Sequence, residues 1–137
     1  MVNPKLDWYD ILDALFFECN GKIIKFDEYK FHNFIYEHQL MLQQRNEPNI
    51  LFLEFEDRGY YHFSSELSIY LDIHLASGRL WFGTDTTFQL PSGVDVMVGD
   101  RSYILTHIKA RYKHFPLLVS TFVERFLKKD NLDEKKS

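Results

Sequence analysis

Six histidines, one cysteine and two groups of carboxylates are the residues through which this chain could do chemistry. Two imidazoles on a helix grip one metal ion when they stand four apart. His32 and His38 are six apart and His107 and His114 are seven apart, so neither pair has that spacing. His62, Asp72 and His74 are the best remaining set, because Asp72 and His74 would share a face if their segment were a strand. Together they would suit a metal ion or acid–base work. Cys19 could act as a nucleophile only beside a positioned base, and its place on an apolar helical stripe predicts a buried, unreactive thiol. Glu54 and Glu56 would share a strand face, which suits proton transfer only inside a cleft. The glycines Gly21, Gly59, Gly78, Gly83, Gly93 and Gly99 stand singly among turn residues, so neither a phosphate-cradling loop nor a nucleophile elbow is present. A single cysteine excludes an internal disulfide and a multi-cysteine zinc site. The expectation is a protein with no catalytic residues, no metal and no cofactor, and hence not an enzyme.

These side chains need elements to position them. Asn3 before Pro4 reads as a helix cap with proline in the first turn. Trp8, Leu12, Leu15, Phe16 and Cys19 then recur at helical spacing, with Asp7, Asp10 and Asp13 on a separate flank. Asn20-Gly21 ends that helix. Asp27 caps a second helix, with Phe26 and Phe31 placed as a hydrophobic staple. Its stripe is Phe31, Phe34, Ile35, His38, Met41 and Leu42, and Asn46 and Pro48 stop it. From Asn49 the period becomes two, through Leu51, Leu53 and Phe55, and Asp57-Arg58-Gly59 turns the chain into a returning strand over residues 60–63. Leu67, Ile69, Leu71, Ile73 and Leu75 alternate without a break, which predicts a strand, although Leu67, Tyr70, Leu71, His74 and Leu75 also fit a helix. Short strands are expected over residues 79–82, 86–90 and 94–98. Asp100 caps a helix carrying Tyr103, Ile104, His107, Ile108 and Tyr112. Pro116 opens the last, with Leu118, Val119, Phe122, Val123 and Phe126 inward. The expected fold is α+β, one domain over residues 1–137. It has two N-terminal helices, a central antiparallel meander, two C-terminal helices and a frayed tail over 128–137.

A chain of 137 residues can bury a core without metal or disulfide staples. Its 45% hydrophobic and 26% charged content excludes wholesale disorder. No apolar run approaches the ~20 residues that span a bilayer, and no basic then apolar leader opens the sequence. A cytoplasmic protein with no membrane attachment is expected. Charge is unevenly spread around a net −4: residues 1–60 hold eleven acids and six bases, 61–100 five and one, 101–137 four and nine. The first hundred residues therefore carry −9, a field that attracts a basic partner and repels nucleic acid.

The acidic sets Asp7, Asp10, Asp13 and Glu54, Glu56, Asp57 are accompanied by Tyr60, Tyr61 and Trp81 as aromatic anchors. A small, acidic, cysteine-poor chain of this kind resembles, as a class, bacterial toxin-immunity proteins of the contact-dependent growth inhibition type. The resemblance covers the character of the whole chain rather than a motif. It implies a cytoplasmic protein that binds and blocks a basic toxin domain; it assigns no site residue, and the nine residues above are the expected contact set on their charge and ring character. Two other readings compete. One is a ligand-binding protein or enzyme with a pocket lined by aromatics and His62, Asp72 and His74, which calls for a closed cavity of at least about 300 Å3. The other is a nucleic-acid-associated protein using Arg101, Lys109, Arg111, Lys113, Arg125, Lys128 and Lys129, which calls for one exposed basic stripe.

Overall fold

A computed structural model describes residues 5–47, 49–91 and 102–127. Helix α1 (Trp8–Glu18) is apolar nearly all round, and Trp8, Ile11, Leu12, Ala14, Leu15 and Phe16 are all buried. A helix of that pattern belongs at the centre of a core. It starts later than expected. Leu6 is bridged to Ile50, so the cap is Asp7, whose carboxylate accepts a hydrogen bond from Asp10 N at 2.9 Å. Asn3 and Pro4 lie outside the described residues. Gly21, at φ +92°, follows the helix end in a conformation that glycine adopts without cost.

Strand β1 (Lys25–Phe26) leads into α2 (Glu28–Gln44), capped by Asp27, which accepts from Tyr29 N at 2.8 Å. The staple forms as the spacing implies, with the Phe26 and Phe31 rings stacked at 4.5 Å. Phe26 is the hub of the aromatic core and also meets Phe16, Phe88, Phe122 and Phe126. Three polar residues are buried on α2: His32, His38 and Gln39. The Gln39 carboxamide donates to Leu53 O and accepts from Leu53 N, both at 2.8 Å, and also accepts from the Trp8 indole at 3.1 Å.

Residues 51–55 run extended but form no ladder; the strand proper is β2 (Glu56–Asp57), paired antiparallel with β3 (His62–Phe63). Residues 67–75 are not a strand. They lie in helix α3 (Ser65–Ala76), capped by Ser64, whose hydroxyl accepts from Leu67 N at 3.2 Å, and followed by Gly78 at φ +81°. The alternation misleads because α3 carries apolar side chains on two flanks. Leu67 and Leu71, one turn apart, are buried, whereas Ile69 and Ile73, also one turn apart, are exposed. The expected meander is therefore split. Strands β4 (Trp81–Phe82) and β5 (Phe88–Gln89) form a hairpin, and β1 joins them in an antiparallel sheet of order β1-β5-β4.

Helix α4 (Ser102–Arg111) buries Ile104 and Ile108, with Tyr112 buried just beyond it, but Tyr103 and His107 face solvent rather than the core. Helix α5 (Phe115–Phe126), with proline in its first turn, buries Leu118, Phe122 and Phe126. The α+β class holds, with two helices at each end of the described chain. The expected strand over 94–98, the Asp100 cap and the 128–137 tail lie outside the described residues.

His38 Nε2 and the Tyr112 hydroxyl share a hydrogen bond in the core, between Trp8 and His114. Burial, reinforced by His114, pushes the imidazole down from 6.5 to about 4. Proton uptake between those values then favours the unfolded chain, so stability is present above pH 6.5 and is lost as pH falls toward 4. The unfolding free energy from urea titrations at pH 7, 5.5 and 4.5 should fall by about 2.5 kcal/mol in total. A free energy that stays level across the window would contradict the neutral, buried imidazole.

Candidate functional site

Of the nine residues expected to meet a partner, five lie on or beside the β2–β3 hairpin: Glu54, Glu56, Asp57, Tyr60 and Tyr61. Asp57 builds the turn by accepting from Gly59 N at 2.8 Å, and Gly59 stands at φ +94°, where a side chain would be strained. Arg58 donates to Glu56 Oε1 at 2.9 Å and lies 3.9 Å over the Phe63 ring. The hairpin is fixed to α2 twice. Asn33 accepts from His62 N at 2.8 Å, and the His62 ring stacks on Tyr36 at 3.7 Å. Above this support Tyr60 is 84% exposed, its ring 5.1 Å from Tyr61, which in turn lies 4.6 Å from half-exposed Tyr29. Three tyrosines thus line up beside exposed Glu54, Glu56 and Asp57.

The acids of α1 have separate fates. Asp13 is only 7% exposed and lies 3.4 Å from the Arg79 guanidinium, which also donates to Tyr9 Oη at 3.0 Å and Ser77 Oγ at 2.8 Å. It ties α1 to the loop after α3 and is withdrawn from the surface, contrary to its expected place in a partner site. Asp7 and Asp10 remain near solvent and converge with α3. Burial first, then the carboxylates of Glu66, Asp7 and Asp10, hold the Tyr70 phenol above its usual pKa. Burial and then Asp7 and Asp13 raise the Asp10 carboxyl, with His107 opposing them. Glu66 was not singled out by sequence; it stands directly before the segment read as a strand, which hid its neighbourhood. Trp81 is exposed on β4, in the other sheet from the hairpin, so it does not join the tyrosine row.

The chemistry-bearing set of His62, Asp72 and His74 does not converge. His62 is stacked on Tyr36, Asp72 is exposed on α3, and His74 is buried with its ring 4.5 Å from Tyr9 and Nε2 3.2 Å from Tyr9 O. Among the described residues, no group of three or more His, Cys, Asp or Glu is placed to hold a metal ion. Cys19 is fully buried, and burial pushes its thiol up to about 12, so it carries no thiolate at neutral pH. The widest groove among those characterised has a volume of about 420 Å3 and is open to solvent, with Lys25, Lys30 and Arg125 on its walls. Lys25 is engaged by Asp85 and Arg125 by Glu37, each at 3.2 Å. Lys109 is likewise 3.5 Å from Glu18, so part of the basic C-terminal charge is met inside the molecule. No helix among the described residues is long and apolar enough to cross a membrane. No protein-family pattern, no curated protein and no solved structure matches the chain.

The contrast between Asp13 and the hairpin acids is measurable. Asp13→Asn should lower unfolding free energy by about 2 kcal/mol or more, because it leaves a largely buried guanidinium without its counter-charge. Glu54→Gln should stay within about 0.5 kcal/mol of the parent. Equal effects in urea denaturation would contradict the assignment of Asp13 to structure.

Proposed function

We propose that the protein is a binding module that engages a basic protein partner and blocks it, in the manner of an immunity protein acting on a cognate toxin domain. The observation that carries this reading is the hairpin, in which the Tyr60, Tyr61 and Tyr29 rings stand beside Glu54, Glu56 and Asp57 on a support fixed to α2. Tyrosine supplies large contact area with only two side-chain torsions to freeze. The carboxylates act earlier. Their field, part of the −9 carried by residues 1–100, steers a cationic partner toward the rings before contact is made. The reading assigns no catalytic step: recognition rests on acids and aromatic rings, and occlusion of the partner's own surface produces the effect.

The test begins with the cognate partner, identified by pull-down from the native host. Reversing charge at Glu54, Glu56 and Asp57 together should slow association about tenfold at low salt and flatten its salt dependence. Tyr60→Ala should act on dissociation instead, speeding it about thirtyfold, equivalent to about 2 kcal/mol for a hot-spot ring. Unchanged rates in both variants, or no protein partner at all, would overturn the proposal.

A further inference from the structure

Helix α3 is covered on one flank only. Its buried residues are Leu67, Leu71 and His74, yet Ile69 and Ile73 stand one turn apart at 55% and 43% exposure. A helix that is apolar on both flanks satisfies its pattern only when both are covered, and single exposed aliphatics are common where a contiguous row is not. Glu66 lies one turn before Ile69, Asp72 directly precedes Ile73, and Glu66 shares the electrostatic environment of Tyr70 with Asp7 and Asp10 of α1. The same helix reaches the tyrosine row through Ser68, whose hydroxyl donates to Glu28 Oε2 at 3.2 Å, next to Tyr29.

We propose that the Ile69–Ile73 row, flanked on its own helix by Glu66 and Asp72, is a docking face for a cationic amphipathic segment of the basic partner. Such a segment carries aliphatic side chains flanked by lysine or arginine. The inference rests on the basic-partner reading above and locates a second contact surface for it. The charges select this occupant over the alternatives. A two-fold pairing of this face with a second copy would set the Glu66 and Asp72 carboxylates of one copy against those of the other. An anionic lipid surface attracts lysine-rich helices, not one edged by carboxylates. A segment with apolar residues on one side and cations beside them buries the isoleucines and meets every acid on the rim.

The probe is a synthetic 18-residue amphipathic leucine–lysine peptide, compared with a leucine–glutamate peptide of the same pattern, in amide chemical-shift titrations of the full chain. The lysine peptide should shift α3 amides, bind more weakly as salt rises, and lose about tenfold or more in affinity to Ile69→Ser/Ile73→Ser. Glu66→Gln/Asp72→Asn should weaken binding while reducing its salt dependence. Both double variants change exposed side chains, and their unshifted core amides would report an intact fold. Shifts confined to residues 54–61 would overturn the α3 face while leaving the basic-partner reading in place. Equal binding of the glutamate peptide, or no binding of the lysine peptide up to about millimolar, would also overturn it, with the hairpin rate measurements remaining an independent check on the broader reading. Concentration-dependent self-association of the parent that Ile69→Ser/Ile73→Ser abolishes would replace the partner by a second copy.

Discussion

The side chain of Gln39 joins three parts of the molecule at one buried point, beside the backbone bridge of Leu6 to Ile50. Residues 51–55 join no sheet, yet Leu53 among them is buried, and a buried peptide unit without a partner costs about 1–3 kcal/mol. Gln39 supplies what a neighbouring strand would, one donor and one acceptor, to Leu53 O and Leu53 N, and its oxygen also receives the Trp8 indole N–H. One carboxamide therefore fixes α2, the start of α1 and the segment that leads into the hairpin. Its neighbours on α2 repeat the device at other joints. His32 Nδ1 accepts from Ser64 N at the cap of α3, and its ring stacks on Phe63 at 4.8 Å, while His38 is joined to Tyr112 beyond α4. Polar groups placed in an apolar stripe specify which element docks where, a distinction that interchangeable phenylalanines do not make.

The surface follows from that framework. Because Leu53 is pinned, Glu54 and the hairpin begin from a fixed point, and Asn33 and Tyr36 of α2 complete their support. Because His32 pins Ser64, α3 leaves at an angle that buries Leu67 and Leu71 and turns Ile69 and Ile73 outward. Arg79 closes the far end of α3 onto α1 through Asp13 and Tyr9. Several surface carboxylates also serve this framework, Asp27 as the cap of α2, Asp57 in the hairpin turn and Glu56 on Arg58, while Glu54, Glu66 and Asp72 stand exposed beside them.

Legibility in the sequence followed the range of the interaction. Local signals read correctly: the Asp27 cap, the Phe26–Phe31 staple, the Asp57-Arg58-Gly59 turn, and proline in the first turn of α5. Helix α3 did not, because hydrophobic periodicity assumes that apolar means buried, and Ile69 and Ile73 break the assumption. The bracketing signals were nonetheless present, with Ser64 before the run and Gly78 after it. Asp13 was grouped with surface acids because its counter-charge, Arg79, lies far along the chain. Gln39 was passed over for the same reason. It falls four residues after Ile35 and three before Leu42, on the apolar stripe itself, and a polar residue at such a position implies a partner that sequence alone cannot name. Of the candidate surface, the hairpin residues were named from the sequence, whereas Ile69 and Ile73 of α3 were not, because their segment was read as a strand.

The most direct measurement of the framework is native-state hydrogen exchange at the Leu53 amide. If Gln39 takes the place of a neighbouring strand, that amide exchanges only by global unfolding, with a free energy equal to that of core amides such as Leu15 in α1. Exchange of Leu53 at the rate of solvent-exposed loop amides such as Tyr60, while α1 remains protected, would contradict it.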